Sequence, residues 1–244
     1  MNALELILVP DGGVTLPIAY RQLIQGALYH IWEGSFPELH DEGYSAGGRT
    51  FRMFTFSELE PLKNRGGSYR QAGDVISFFG PLRMEVRSPV PALLDPLVES
   101  FTRDQTLLLG NQRLHISEMY CRDCLLFPSR AVIELETPLT LHRTIADGST
   151  RYYSPDEEDF HLLLAENLTS KLEAAYLPLD PCISLTPVEG TLKRRIARFR
   201  NTYITGWTGR FLLETEPETM AFLYCTGLGA RNSQGFGMFR LVTM

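Results

Sequence analysis

The C-terminal stretch Thr226-Gly-Leu-Gly-Ala-Arg-Asn-Ser-Gln-Gly-Phe-Gly-Met-Phe-Arg-Leu-Val242 decides how this chain is read. Four glycines, Gly227, Gly229, Gly235 and Gly237, bracket a polar centre, Arg231-Asn232-Ser233-Gln234, and one aromatic, Phe236. Without a Cβ, glycine reaches left-handed backbone and lets amides lie close to a ligand, which suits phosphate. A dinucleotide fingerprint needs a strand before its glycines and a helix after them. Here the order is reversed: a helix-like run precedes and an apolar, strand-like run follows. No Gly-Lys-Ser/Thr closes the segment, so a nucleotide-triphosphate loop is also excluded. What remains is a helix, a phosphate-backbone cradle and a closing strand.

Upstream of this loop, Thr215-Glu-Pro-Glu218 reads as a capping box opening a helix through Met220, Leu223 and Tyr224. Before it lie two extended segments, 191–201 and 202–213. They hold six basic residues (Lys193, Arg194, Arg195, Arg198, Arg200, Arg210) and no acidic one. On a chain of net charge −6, so local a basic footprint suits a specific groove rather than indiscriminate nucleic-acid binding. Ser154-Pro-Asp-Glu157 opens an earlier helix, carried by Phe160, Leu163, Leu164, Leu168, Leu172 and Tyr176, with Asn167 and Lys171 expected on its exposed face. Residues 131–137 form the strand before it, and Asp147-Gly148 turns a hairpin within 140–153. The order is strand, helix, strand, strand, helix, strand.

The first half repeats the plan. Residues 3–9 read as a strand. Leu16, Ala19, Tyr20, Leu23, Ile24, Ala27 and Ile31 mark a helix face begun near Pro17, with His30 expected on that face. Tyr29 falls on the opposite flank with Gln22 and Gln25, available to touch something polar. Ser35-Phe-Pro-Glu38 caps a short turn that leads to His40, in a polar connection with Asp41 and Glu42. Residues 51–57 and 75–79 read as strands, 90–101 as a helix and 106–119 as extended. The fold class is therefore α+β: two tandem ferredoxin-like (βαββαβ, RRM-like) domains, 1–127 and 128–244, with a C-terminal glycine-rich loop.

At 244 residues, 44% hydrophobic and 21% charged, the chain is an ordinary globular one with length for a core. No apolar run reaches the roughly 18 to 20 residues of a membrane span. The start lacks a basic leader, so a cytoplasmic location is expected. Cys121 and Cys124 form a lone Cys-x-x-Cys; zinc would need two further ligands, so no metal and no cofactor are expected.

Taken together, the glycine loop and its companions resemble the RAMP superfamily of CRISPR systems, and within it the endoribonucleases that cut repeat transcripts into guide RNAs. The companions are Leu23-Ile-Gln-Gly-Ala-Leu-Tyr29, Phe54-Thr-Phe-Ser57, Tyr152-Tyr-Ser-Pro155, Glu166-Asn-Leu168 and Tyr203-Ile-Thr-Gly-Trp207. The resemblance covers nearly the whole chain. It implies CRISPR repeat RNA, or the guide RNA made from it, as partner, with an effector complex as a further one, and a monomer or homodimer. It also implies metal-independent cleavage by the RNA's own 2′-hydroxyl, leaving a 2′,3′-cyclic phosphate. The family's histidine and tyrosine carry over to His40 and Tyr29, and its lysine falls on Arg52, with Arg49 as the rival position. Arginine keeps the charge but cannot shuttle a proton. Lys193, Arg194, Arg195, Arg198 and Arg200 would track phosphates, while Gly227, Gly229, Arg231, Asn232, Ser233, Gly235, Phe236 and Gly237 would hold the backbone. A non-cleaving RNA-binding subunit of the same fold is the alternative. A protein with a small-molecule phosphate site is a third.

Overall fold

A computed structural model describes residues 1–35, 43–123 and 126–242. In the first half Ala3–Pro10 lies between Gln112–Arg122 and Leu82–Arg87, and Leu82–Arg87 pairs in turn with Thr55–Phe56, all antiparallel. Leu4, Leu6 and Leu8 alternate onto one face of this sheet, as a period of two requires. There they meet Ile24 and Leu28 of the helix Arg21–Trp32, and Leu94, Leu97 and Phe101 of the helix Pro91–Asp104. In the second half the sheet runs Ile183–Pro187, Arg210–Thr215, Arg130–Leu135, Phe239–Leu241. Its helices are Glu158–Ala174 and Pro217–Thr226. Counting core strands within each half, both sheets read 4-1-3-2, the βαββαβ order of a ferredoxin-like domain.

The opposite face of the first sheet carries charge and meets the second half. Arg87 is 1% exposed. Its Nε donates to Glu85 at 2.6 Å, its Nη1 to the Phe239 carbonyl at 2.6 Å and its Nη2 to Glu136 at 3.2 Å. The guanidinium lies 3.7 Å from the Tyr224 ring centre. Arg83 reaches Glu5, Glu85 and Glu136. This network explains a miss. Leu82–Arg87 is the third core strand, yet Arg83, Glu85 and Arg87 make it look like surface. The expected strand 75–79 does form, as Val75–Phe79, but in a side sheet with Val14–Pro17 and Ser68–Ala72.

Other expectations give way for local reasons. The basic segments form a hairpin, Lys193–Phe199 with Thr202–Thr208, inserted beyond the core sheet, whose second strand is Ile183–Pro187. Residues 51–57 are no single strand. Arg49–Phe51 pairs with Tyr44–Ala46, the backbone turns at Met53 (φ 52°), and Thr55–Phe56 joins the sheet. Leu16 and Pro17 are in a strand rather than the first helix. His30 has an 83% exposed side chain beside Glu33, off the core face. Asn167 and Lys171, expected outside, are buried.

Candidate active cleft

Between the halves is a cleft of about 720 Å³. The first half supplies Gln25, Tyr29 and residues 49–54; the second supplies His142, Lys171, Arg200 and residues 229–234. Arg49, Arg52, Lys171, Arg200 and Arg231 line it, and no aspartate or glutamate does so among the described residues. On a chain of net charge −6 this concentration of basic side chains suits an anionic ligand.

One flank of the helix Arg21–Trp32 docks onto the second half, through positions three and four residues apart. Gln22 Oε1 accepts from the Arg200 amide at 3.0 Å, and Gln25 Nε2 donates to the Ser233 carbonyl at 2.7 Å. Tyr29, a turn further on, is half-buried. Burial pushes its phenol up from the ordinary value, against the opposing pull of Arg52 and of hydrogen bonds to Arg52 and Ser233. The hydroxyl therefore keeps its proton at neutral pH, between an arginine and the loop. The structure thus brings Tyr29 and Arg52 together, as expected, and adds Ser233. His40 lies outside the described residues, as do Asp41, Glu42 and Cys124. The described chain resumes at Gly43, where an added Cβ would collide with the Arg52 guanidinium. Arg49, the rival of Arg52, lies 3.7 Å from Glu166.

The glycine loop is built differently from the expected cradle. Gly235 (φ 80°) presses on the Phe56 ring, which a Cβ would meet at 2.7 Å, and a Cβ on Gly237 (φ 75°) would strike the Leu228 carbonyl. These glycines admit the loop's own neighbours. Gly227 and Gly229 are likewise buried, and Phe236 is fully buried with the Arg21 guanidinium 4.9 Å from its ring centre. As placed, Phe236 has no surface to offer a base. It is a wedge between the halves.

Lys171 holds the loop from beneath. The side chain is 1% exposed. Its Nζ donates to the Gly227 carbonyl at 2.8 Å, the Gly229 carbonyl at 3.4 Å and Asn232 Oδ1 at 2.8 Å. Asn232 Nδ2 donates to the Leu228 and Phe236 carbonyls, both at 2.9 Å. Burial pulls the ammonium down from 10.5 to about 7. Asn232 is therefore an internal strut, and Arg231, Ser233 and Gln234 are left facing the cleft. Lys171 was missed as a functional residue; only the paired polar positions 167 and 171, inside an otherwise apolar helix, hinted at it.

The basic hairpin does not form one stripe. Arg200 lines the cleft. Lys193, Arg195 and Arg198 instead line a larger groove of about 1180 Å³, with Tyr69 and Tyr203. Arg194 is exposed and borders neither. Among the described residues no group of three or more His, Cys, Asp or Glu gathers to hold a metal, and Cys121 is exposed and free.

Two ferredoxin-like halves closing an arginine-lined cleft are an arrangement shared with known structures. A RAMP protein described as binding different RNA substrates superimposes with a TM-score of 0.81 at 16% identity, covering all of both chains. Residues 126–241 match the family model for the C-terminal part of CRISPR-associated protein Cas6. The CRISPR-associated endoribonuclease Cas6 of Pyrococcus furiosus is 22% identical, covering 95% of this chain and 85% of that one. The endoribonuclease Cas6 1 of Methanocaldococcus jannaschii is 25% identical, over 96% and 91%. The chain is thus similar to the C-terminal part of Cas6 over residues 126–241, and to Cas6 endoribonucleases over nearly its whole length.

Proposed function

We propose that this protein is an endoribonuclease that cuts CRISPR repeat RNA into guide RNAs in the cleft between its halves. The observation that carries the reading is the carboxylate-free cleft wall in which four arginines, Arg49, Arg52, Arg200 and Arg231, surround Tyr29. Cleavage needs no external nucleophile. The RNA's 2′-oxygen attacks the adjacent phosphorus as its proton leaves to a base. The bond to the 5′-oxygen breaks as that oxygen takes a proton, leaving a 2′,3′-cyclic phosphate and a 5′-hydroxyl. His40 moves these protons, because an unperturbed imidazole changes protonation near neutral pH, at about 6.5. Arg52 stabilises charge on the phosphorane, and protonated Tyr29 donates to a phosphate oxygen or orients the 2′-hydroxyl. No metal enters this route, so cutting continues in excess chelator.

The halves divide the work: residues 1–127 carry the chemistry, and residues 128–244 hold the RNA through Arg200, Arg231 and the loop. The groove beyond, with Lys193, Arg195 and Arg198, takes flanking RNA. The protein works in the cytoplasm and hands its product to a CRISPR effector complex. The test is incubation of labelled repeat RNA with wild type and His40→Ala. The variant should cut at least roughly a hundredfold more slowly. Equal rates would remove His40 from the mechanism; tight binding with no cutting by the wild type would mark a non-cleaving RAMP subunit instead.

A further inference from the structure

Within the cleft, a second cluster of nitrogens lies on the wall of the second half. His142 begins the short strand His142–Thr144, beside the Tyr152 ring of its partner strand Thr150–Tyr152 at 5.7 Å between ring centres. Its Nδ1 is buried with no hydrogen-bond partner among the described residues, and Arg231 Nε is in the same condition. Arg231 is also a non-glycine residue with φ 62°, held there by the loop beneath it. Arg231 and Arg49 both lie close enough to act on His142 electrostatically. Arg49 is drawn outward towards Glu166, which is also bonded by Arg143, and Arg231 Nη1 reaches Gln234 at 3.3 Å.

Nδ1 is buried without a partner whichever tautomer the neutral ring adopts, so the group that meets Nε2 selects the tautomer, and a phosphate oxygen there selects the Nε2–H form. Burial and the two arginines agree, holding the imidazole down at about 4. His142 is thus an uncharged ring within electrostatic reach of two guanidiniums, of which Arg49 also pairs with Glu166 at 3.7 Å and Arg231 has no carboxylate partner among the described residues. Arg231, with its buried unpartnered Nε, and the imidazole beside it are an incomplete set in a cleft wall without carboxylates, and a phosphodiester oxygen completes it.

We propose that His142 and Arg231 of the second half, with Arg49 of the first, form a phosphate subsite in the cleft that holds Tyr29 and Arg52, taking a phosphate next to the one that is cut. The assignment rests on the RNA-binding reading of the cleft for the identity of its ligand, not for the chemistry of the subsite. An anion at this position favours the imidazolium, so the ring's titration midpoint rises when the subsite fills. The groups that face it are Arg231 on the loop, Arg49 on the strand Arg49–Phe51, and Tyr152.

Two experiments test it. The first follows the His142 ring signals of the whole protein by NMR while inorganic phosphate is added. They should shift, with a higher titration midpoint, in wild type and much less in Arg231→Gln. Signals that ignore phosphate, or move equally in Arg231→Gln, overturn the subsite. The second measures affinity for repeat RNA carrying a 2′-deoxy nucleotide at the cut site. His142→Phe should bind about two- to tenfold more weakly, the loss of one hydrogen bond. His142→Gln, which keeps an N–H donor, should recover most of that. Arg231→Gln should also reduce the salt dependence of binding by about one phosphate contact. Wild-type affinity in both His142→Phe and Arg231→Gln overturns the proposal. Failure of the wild type to cut RNA would sink the nuclease reading alone, since neither measurement depends on cleavage.

Discussion

Replacing Lys171 by methionine separates the ammonium from the packing around it. Methionine fills much of the same volume, so the change is chiefly one of charge and hydrogen bonds. Removing the ammonium leaves two carbonyls and Asn232 Oδ1 without their donor, at about 1–3 kcal/mol for each buried acceptor left unpaired. Against this, the fall of the lysine from 10.5 to about 7 means that burial disfavours the charged form by ~5 kcal/mol. The two effects are of similar size, so stability at pH 7 should change little. Its pH dependence should change markedly. The native value is depressed below the unfolded one, so between about pH 7 and 10.5 the unfolded chain holds more protons, and wild-type stability gains with rising pH. Below that window both states are protonated and the cost of burial is constant. Lys171→Met lacks the group and the slope. Urea unfolding of both proteins at pH 7 and pH 9 should therefore show wild type gaining about 2 kcal/mol relative to the variant. Parallel behaviour at the two pH values would refute the argument that this ammonium is disfavoured in the native state. Cleavage supplies a second readout. A neutral amine has two N–H groups for three acceptors, so the loop loosens as pH rises through about 7, and KM for RNA should climb in wild type. In Lys171→Met, KM should already be high and should not vary with pH for this reason.

Arg87→Leu removes one of the two arginine donors from Glu85 and from Glu136 and the arginine donor from the Phe239 carbonyl at the junction of the halves, and should cost roughly 3–5 kcal/mol by thermal or urea unfolding. Because Lys193 and Arg195 border the outer groove and not the cleft, their joint replacement by glutamine should weaken RNA binding at low salt. The slope of log affinity against log salt should become shallower by about two contacts, with single-turnover cutting of bound RNA preserved. A 2′-deoxy nucleotide at the cut site should block cleavage while leaving binding within a fewfold of the all-ribose RNA, as gel shift and product analysis would show.

The sequence by itself determined the βαββαβ plan of each half though not every segment that fills it, the helix–loop–strand ending and the flank on which Gln22, Gln25 and Tyr29 lie. These follow from periodicity, capping residues and glycine spacing, which are local properties of the chain. It also carried the resemblance to repeat-cutting endoribonucleases through short motifs in a fixed order. Other features depended on what comes together in space. Leu82–Arg87 reads as a surface segment, because only the opposite half provides Glu136 and the Phe239 carbonyl that let its arginines be buried. Lys171 reads as a solvated lysine, because its three acceptors come from a loop some 60 residues away. The same loop changed meaning. Its glycines suggested a bare phosphate cradle, whereas the tertiary structure uses them to seat Phe56, Leu139 and the loop's own carbonyls. Arg231 and Ser233 are left lining the cleft. Glycine spacing records where side chains cannot fit; whether a ligand or the protein's own atoms fill that space is decided only by packing.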